Sequence, residues 1–399
     1  MDRERRNIFY LKTWEKLIYN ARKLGLTIRE KTRSTLEVLA EYSDKLLENK
    51  DIDYIMIADV PEELVSKKHV VFGIDSSEGG FQRVGGFIIV PIASSYIKYE
   101  VEILNDKRMR FSNAKKYVET SMPKLHDGIA PSIARYKTEL KMLEMETRMM
   151  DKVRVYLEGM SSSELRGTEW WIFIDGPIID PPNLVIRTED DRHYMEERAS
   201  MIASLHSRGT RVIGYVKRIM GMMWYSYLDD RYHISNEISE FFHNDWSLAT
   251  IILSHALIRL SEQYMYRNTD IIVYTKPLTV RDRNYSTYED YGLSIYYAYI
   301  LIGRHGESSF LGRIDFVVTH DIPHESLDTY IKKILLFTYL QTPLGLRYPL
   351  PVHLAHITCN IPRKEAQKLV RETIGKTLFE SLKTDPNLTK ALTELIEAM

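Results

Sequence analysis

The stretch Val70-Val71-Phe72-Gly73-Ile74-Asp75-Ser76-Ser77-Glu78-Gly79-Gly80 predicts a buried β-strand that ends in a carboxylate and then turns. The pattern returns further along the chain in Trp170-Trp171-Ile172-Phe173-Ile174-Asp175-Gly176-Pro177. An apolar strand does not bury an ionised carboxylate without a partner, so each Asp is expected at the rim of a sheet, facing a cation. One such Asp is commonly a turn cap. Two together favour a metal site assembled from adjacent strands.

Size and composition are those of a globular protein with a large core. The chain has 399 residues, 44% hydrophobic and 27% charged, which one α/β domain with insertions can use in full. The net charge of -1 and the pI near 6.9 give no overall field that attracts nucleic acid, so binding of that kind must use local patches. No apolar run approaches the roughly 20 residues that span a bilayer, so no membrane contact is expected.

Cysteine usage and the first residues predict an intracellular protein. The single cysteine, Cys359, excludes an intrachain disulfide and a Cys-based zinc site, as in a reducing compartment. The charged residues 1–6 precede no apolar segment, so no secretory signal is expected. Many charged residues, 26 tyrosines and few Gln and Cys favour a high-temperature organism. No Gly-x-x-x-x-Gly-Lys motif is present, which argues against an ATPase.

The order of the predicted elements favours a ribonuclease H-like fold, in which three antiparallel strands precede parallel strands with crossover helices. Short links between the first three strands predict an antiparallel meander. The elements are helical residues 8–49, a short charged helix at 61–66, strands 70–74, 85–91 and 96–103, helix 131–159, strand 170–174, helix 193–208 and strand 211–216.

The remaining chain predicts further helices and strands around this core. Helices are expected at 248–266, 326–341 and 363–373 with a helical tail to 399, and strands at 271–274, 293–302 and 309–318. Segment 188–198 is interpreted as a solvated loop that runs into a helix, and 281–284 as an exposed turn. The expected fold is therefore α/β, with a mixed central sheet, N-terminal helices in 1–66, a core domain at 67–362 and a helical segment at 363–399.

Carboxylates in three places would complete a two-metal site. Ribonuclease H-like nucleases carry them on the first strand, the following helix and the fourth strand, where they hold two ions about 3.5–4 Å apart. Asp75 and Asp175 take the two strand positions. The helix offers Glu139, Glu144, Glu146 and Glu158. Glu144 and Glu146 lie mid-helix on different faces, so spacing does not separate them, and we expect Glu146 to be the helical ligand.

Further candidate residues follow in the second half of the chain. Pro349 and Pro351 predict an extended approach to a helical segment on which His353 and His356 would share a face. His356 is a candidate metal ligand or general acid, the alternative being a hydrogen-bonded structural histidine. Lys217 ends a predicted strand and is a candidate contact to a scissile phosphate. Arg313 and Asp315 share one strand face, where they pair with each other or reach the site.

Together these segments resemble the NurA nucleases of archaea and some bacteria. The matching motifs occur in the family's order over roughly residues 70 to 360: Gly73–Ser77, Phe173–Pro177, Val212–Lys217, Arg313–Asp315 and Tyr348–His356. Three departures accompany them. Ser76-Ser77 follows Asp75 where the family usually has Gly-Ser, Pro177 replaces a usual Ser, and Asp315 stands where Glu is frequent.

The resemblance implies a homodimeric deoxyribonuclease that uses two Mn²⁺ or Mg²⁺ ions. It implies 5′-3′ exonuclease and single-strand endonuclease activity on single-stranded DNA and duplex ends. The implied partner is a hexameric HerA-type ATPase that translocates DNA. The implied process is DNA end resection in double-strand-break repair by homologous recombination, in the cytoplasm at the nucleoid. The implied metal ligands are Asp75, Glu146, Asp175 and His356, the implied catalytic residues are these four and Lys217, and the implied substrate contacts are Lys217, Arg313 and Tyr348.

Two other functions are compatible with the same motifs. One is a catalytically weak adaptor or DNA-binding subunit of the translocase, although such a subunit would be expected to lose carboxylates that are present here. The other is a ribonuclease H-like nuclease that acts on RNA. The sequence leaves open the cleavage polarity, the balance of exo- and endonuclease activity, the physiological metal, a place for Asp315 at the site and a requirement for the ATPase.

Overall fold

The computed structural model describes residues 22–381, with gaps at 24, 26, 28, 31, 58–61, 66, 85, 105–107, 180–188, 220, 239–241, 265–268, 281–284, 305–309 and 320–326. The predictions for positions 8–21, for the exposed turn at 281–284 and for the helical tail beyond 381 lie wholly outside these residues.

Helices and strands alternate along the described chain. The helices are α1 (32–48), α2 (Glu62–Val65), α3 (Pro131–Glu158), α4 (Ser162–Arg166), α5 (Glu189–Ser207), α6 (Met223–Tyr232), α7 (Asp245–Tyr264), α8 (Tyr285–Glu289), α9 (Leu327–Leu340), α10 (Leu350–Cys359) and α11 (Arg363–Ser381), with a 3₁₀ helix at Ile234–Asn236. The strands are β1 (Ile52–Ile57), β2 (Lys68–Glu78), β3 (Gln82–Val84), β4 (Phe87–Ile89), β5 (Ile92–Ile103), β6 (Met109–Ser121), β7 (Lys124–His126), β8 (Thr168–Asp175), β9 (Thr210–Val216), β10 (Asp270–Thr275), β11 (Leu278–Thr279), β12 (Leu293–Gly303) and β13 (Phe310–Thr319).

The chain forms two compact units. The first consists of Met1–Met56, Arg218–Lys276 and Tyr299–Leu311, and the second of Ile57–Lys217, Pro277–Ala298 and Gly312–Met399. In the first unit β10 pairs antiparallel with β12, from Ile271 opposite Gly303 to Tyr274 opposite Ile300. The division of the sequence at 66 and 362 stays a prediction.

The sheet of the second unit is mixed. Its strands lie in the order β13-β9-β8-β2-β5-β6. β2, β8 and β9 are parallel neighbours, whereas β5 pairs antiparallel with β2, β6 with β5, and β13 with β9. A separate small sheet holds β3, β4 and β7. The predicted α/β class with a mixed central sheet is confirmed.

The predicted meander of three consecutive strands is wrong in its second member. The segment at 85–91 supplies only the short β4 of the small sheet, so β2 pairs directly with β5. The third antiparallel strand is β6, which the sequence pattern did not reveal. Its residues are exposed or half-exposed along its whole length, so the alternation of apolar and polar residues that marks a half-buried strand is missing.

Two helices cover the two faces of β2. Side chains alternate between the faces of a strand, so Gly73, Asp75 and Ser77 point one way, and Phe72 and Ser76 the other. The first face meets α10, where the Ser77 hydroxyl donates to the Cys359 carbonyl. The second face meets α3, where Phe72 packs edge-on against Tyr156 and Ser76 contacts Glu146.

Segment 188–198 is not a solvated loop. From Glu189 it belongs to α5, and Arg198 is fully buried. The apolar residues Tyr194 and Met195 of this helix pack against α3, which places Arg198, one turn later, on the covered side.

Candidate metal centre

Parallel pairing of β2 and β8 places Asp75 and Asp175 side by side. The register runs to Ile74 opposite Ile174, and the aspartates are the next residue in each strand. Parallel strands end at the same edge of a sheet, so both carboxylates lie at one rim. The Asp75 residue is 4% exposed, and its Oδ1 accepts a hydrogen bond of 2.7 Å from the Ser76 amide.

Gly73 allows α10 to approach this rim. A Cβ atom at position 73 would lie 2.1 Å from the Pro351 carbonyl oxygen and 2.5 Å from its carbon, so only glycine permits this packing. Pro349 precedes the helix and Pro351 lies in its first turn, where a missing amide hydrogen does no harm. The helix packed in this way brings His356 to Asp75, and it lies where the sequence predicted a helical segment.

The structure brings Asp75, Asp175 and His356 into one group whose ligand atoms lie within 4.8 Å of one another. His356 Nδ1 is 2.8 Å from Asp75 Oδ2 and 3.6 Å from Asp175 Oδ2. Two carboxylates and an imidazole are a donor set that suits a divalent cation such as Mn²⁺, and the carboxylates alone suit Mg²⁺. The residues present therefore fit the metal that the sequence led us to expect.

Lys217 and Tyr348 flank this group. Lys217, directly after β9, places its Nζ 2.6 Å from Asp175 Oδ2 and 4.1 Å from the centroid of the Tyr348 ring. The Tyr348 hydroxyl lies 3.3 Å from Nδ1 of His353, so the two histidines of α10 have different partners. Lys217 supplies positive charge at the edge of the carboxylate group, where an anionic substrate would approach.

Glu146 reaches the rim from α3, on the other face of β2. Its Oε1 accepts a hydrogen bond of 2.7 Å from the Ser76 hydroxyl, and its Oε2 lies 3.4 Å from Arg198 Nη1. Burial raises the pKa of Glu146 to about 7, with Asp75 and Asp175 adding to the rise and Arg198 opposing it. Glu146 lies outside the group of three residues whose ligand atoms are within 4.8 Å of one another, and its role as a metal ligand stays a prediction.

Glu144 and Arg313 are engaged elsewhere. The partly exposed Glu144 pairs with Lys141 at 2.8 Å and with Arg148, which lower its pKa against the opposing effect of burial. Arg313 donates two hydrogen bonds of 2.8 and 2.9 Å to Asp315, the fully buried acceptor of the Ile178 amide. The pair of Arg313 and Asp315 thus fastens β13 to the loop after Asp175.

The charges at the rim oppose one another. Burial and the neighbouring Asp75 raise the pKa of Asp175 to about 6, although Lys217 counteracts both. The hydrogen bond to Asp75 raises the pKa of His356. Carboxylates that resist ionisation next to each other gain most from a bound cation, because it removes their repulsion.

Three residues around the site were missed in the sequence. Arg198 was hidden in a charged segment, although Met195 and Ile202 on the same helical face could have indicated that it is covered. Ser76 follows the strand carboxylate and was read only as part of a motif. Cys359 places its Sγ 3.5 Å from Asp75 Oδ2, a contact that no local pattern predicts because it joins β2 to a helix far along the chain.

Comparison with known families identifies the family of the chain. The model of the NurA domain matches residues 69–359, which is most of the chain. The chain belongs to the NurA family. NurA proteins are nucleases and hence hydrolases, and the family implies dependence on a divalent metal, for which Asp75, Asp175 and His356 form the candidate site. No curated protein matches the sequence. Within the described residues, no helix combines the length and hydrophobicity needed to cross a bilayer.

Proposed function

We propose that this NurA-family chain is a Mn²⁺- or Mg²⁺-dependent deoxyribonuclease that hydrolyses phosphodiesters of single-stranded DNA and duplex ends with two metal ions. The observation that supports it most directly is the convergence of Asp75, Asp175 and His356 from two strands and a helix. Its two carboxylates are hard anionic donors, as the metals of phosphodiester hydrolysis require.

We further propose that the core is ribonuclease H-like. Support comes from the neighbour order β6-β5-β2-β8-β9, with antiparallel pairing on one side of β2 and parallel pairing on the other. In this arrangement the first-strand and fourth-strand carboxylates, Asp75 and Asp175, must be neighbours at one rim. Glu146, from the helix between them, is the third carboxylate that the arrangement calls for.

Each side chain then has a separate role in hydrolysis. Bound ions would act as Lewis acids on the scissile phosphate and lower the pKa of the attacking water. Lys217 would pair with a phosphate oxygen, held in place by Asp175 and Tyr348. His356 would be a metal ligand or would instead exchange a proton at Nε2, since its Nδ1 faces Asp75. Glu146, held by Ser76 and Arg198, would serve as a metal ligand or a proton acceptor for water.

The biological setting is proposed from family membership. We infer that the chain works as a homodimer with a HerA-type hexameric ATPase in DNA end resection for double-strand-break repair, at the nucleoid. With a net charge of -1, the chain has no global attraction for DNA, so a translocase that delivers the strand would compensate for weak capture.

The test is cleavage of end-labelled single- and double-stranded DNA by the purified protein with Mn²⁺, Mg²⁺ or EDTA. Asp75→Asn and Asp175→Asn should abolish metal-dependent cutting, because each removes an anionic ligand without changing side-chain size. Glu144→Gln is the matched control, since that carboxylate pairs with Lys141 and Arg148 away from the group. A folded wild type that binds DNA but never cuts it, even with the ATPase, would refute the proposal and favour an adaptor. Faster cutting of RNA would assign a different substrate.

A further inference from the structure

A groove of about 610 Å³ lies beside the candidate metal centre in the second unit. We call it the Phe81 groove. Its lining includes Glu78, Phe81, Arg135, Glu139, Met142 and Arg363. None of these residues takes part in the hydrolysis proposed above, so the groove requires a separate explanation.

Two residues that line the groove lie a short distance along the chain from residues of the metal centre. Glu78 ends β2 three residues after Asp75. Glu139 precedes Glu146 by seven residues on α3, which is about 10 Å along the same face of a helix. That distance corresponds to at most about three nucleotides at a spacing of ~3.4 Å. A strand held at the metal centre can therefore reach the groove with the nucleotides next to the cut.

Glycines fix one wall of the groove. A Cβ atom at Gly79 would lie 2.6 Å from the Ala366 Cβ and 2.9 Å from the Ile361 Cγ2, so α11 packs directly on this backbone. Gly80 has a φ of +81°, a conformation that favours glycine, and the Arg363 side chain lies 3.4 Å from where its Cβ would be. The tight turn after β2 thereby leaves room for the Arg363 side chain, which lines the groove.

The lining combines apolar and charged side chains. Met142 packs on the buried cluster of Ile88, Val90, Ile92 and Met145, which gives the groove a firm floor. Phe81 is 37% exposed, although a phenyl ring gains nothing from water. Among the described residues, Arg363 has no carboxylate partner at ion-pair distance, so its charge remains available to an anion.

An exposed ring beside a free guanidinium is the combination that single-stranded nucleic acids use. Bases stack on aromatic side chains with little regard to sequence, and arginine pairs with the backbone phosphates. Glu78 and Glu139 lie close enough for the Glu78 charge to raise the pKa of Glu139, in addition to the larger effect of burial. Such carboxylates repel phosphates but accept hydrogen bonds from the amino groups of bases. The groove therefore suits a base inside and a phosphate at Arg363.

We propose that the Phe81 groove binds an unpaired deoxynucleotide next to the scissile phosphate, with its base stacked on Phe81 and its phosphate on Arg363. The proposal rests on the proposed deoxyribonuclease function and names a subsite for its substrate. It explains a preference for unpaired strands, because a base inside a duplex is not available for stacking on Phe81.

The test is binding without cleavage. Fluorescence anisotropy of a labelled 12-nucleotide single strand is measured in EDTA, over a series of salt concentrations, for the whole protein. Phe81→Ala should weaken binding about tenfold, as expected for the loss of one stacked base, and leave the salt dependence unchanged. Phe81→Trp should retain affinity. Arg363→Gln should reduce the slope of log K against log salt by about 0.7, the value for one phosphate contact with a single strand.

Matched controls separate the groove from general effects. Phe87→Ala removes another exposed phenylalanine, whose ring faces Lys124, and Lys368→Gln removes another exposed charge of α11. Neither control should change the affinity for the single strand by more than about twofold. The wild type and Phe81→Ala should bind a blunt duplex with the same affinity. Unchanged single-strand binding by Phe81→Ala and Arg363→Gln, or no binding by the wild type, would overturn the subsite. If both variants bind and cleave like the wild type, the subsite is refuted and the nuclease function stands. If the wild type binds single strands through Phe81 and Arg363 but never cleaves them, the nuclease function is refuted and the groove remains a single-strand binding site.

Discussion

Gly73→Ala should separate the two halves of the candidate metal centre. The added Cβ would lie 2.1 Å from the Pro351 carbonyl oxygen, whereas ordinary contacts begin at 3.4 Å. Because the obstructing atoms belong to the backbone, no side-chain rotation relieves the clash. The helix α10 must therefore move away from β2 by roughly 1 Å. His356 moves with it, so its 2.8 Å contact with Asp75 is lost.

The expected magnitudes follow from overpacking and misplacement. Inserting one methyl group into a tight contact lowers the free energy of unfolding by about 1–3 kcal/mol. A shift of about 1 Å in a catalytic group reduces kcat by about 100-fold. The measurements are urea unfolding followed by circular dichroism, and cleavage of an end-labelled single strand at saturating Mn²⁺.

Gly167→Ala provides the matched control. Gly167 ends α4 with a φ of -83°, and a Cβ there would meet only the Ser163 carbonyl oxygen, at 3.5 Å. This variant should keep wild-type activity and stability. If Gly73→Ala also retained activity within about threefold and the same stability, the contact of α10 with β2 would not be what positions His356, and the reasoning would be refuted.

Four further predictions concern the buried charges. In metal-free protein, the melting temperature should fall as the pH rises, because the folded-state pKa values of Asp175 and Glu146 are about 6 and about 7, above their usual 3.8 and 4.5. The contribution of these two groups to stability is complete below the usual pKa values and is lost as the pH passes the raised ones. Mn²⁺ should restore the lost stability, and a melting temperature that does not change with pH in EDTA would contradict this prediction. Glu146→Gln should reduce cleavage at least about 100-fold while Glu144→Gln stays within twofold of wild type, and equal rates would show that Glu146 has no role at the site. Arg198→Met should lower the free energy of unfolding by about 3 kcal/mol at pH 9, where the buried Glu146 carboxylate loses its cation, and by much less at pH 7, where Glu146 with its pKa of about 7 can take up a proton. Adding Glu146→Gln should restore part of that stability but no activity, and a double variant as unstable as the single one would exclude this pairing. Burial raises the pKa of Glu169, but the nearby cations Arg211, Lys67 and Lys333 outweigh this effect and lower that pKa to about 2. The stabilisation by Glu169 is therefore present above the usual pKa of 4.5 and lost as the pH falls towards 2. Glu169→Gln should lower the melting temperature at pH 7 but much less at pH 2.5, whereas the control Glu262→Gln, at an exposed position, should not change it at either pH.

Local sequence patterns predicted the elements that carry the carboxylates. The strands that end in Asp75 and Asp175 and the helix Pro131–Glu158 are in place, because buried strands and amphipathic helices have strong periodicity. The long strand Met109–Ser121 was not predicted, because both its faces are exposed and its sequence lacks an alternation of apolar and polar residues. The burial of Arg198 was not predicted for a related reason. A charged residue is expected in solvent unless a partner is known, and the partner of Arg198, Glu146, lies on another helix.

The sequence by itself determined which residue types are available for metal chemistry and at which strand ends they stand, because strand burial and turn formation are local properties of the chain. Tertiary structure decided which of them meet. Glu144 and Glu146 are equivalent in spacing, and only the packing of α3 on β2 turns Glu146 towards Ser76 and Glu144 towards Lys141. His356 reaches Asp75 only because Gly73 lets α10 lie against the sheet. Such contacts join residues far apart in sequence, and their geometry depends on side-chain volumes at both ends, which no local pattern contains.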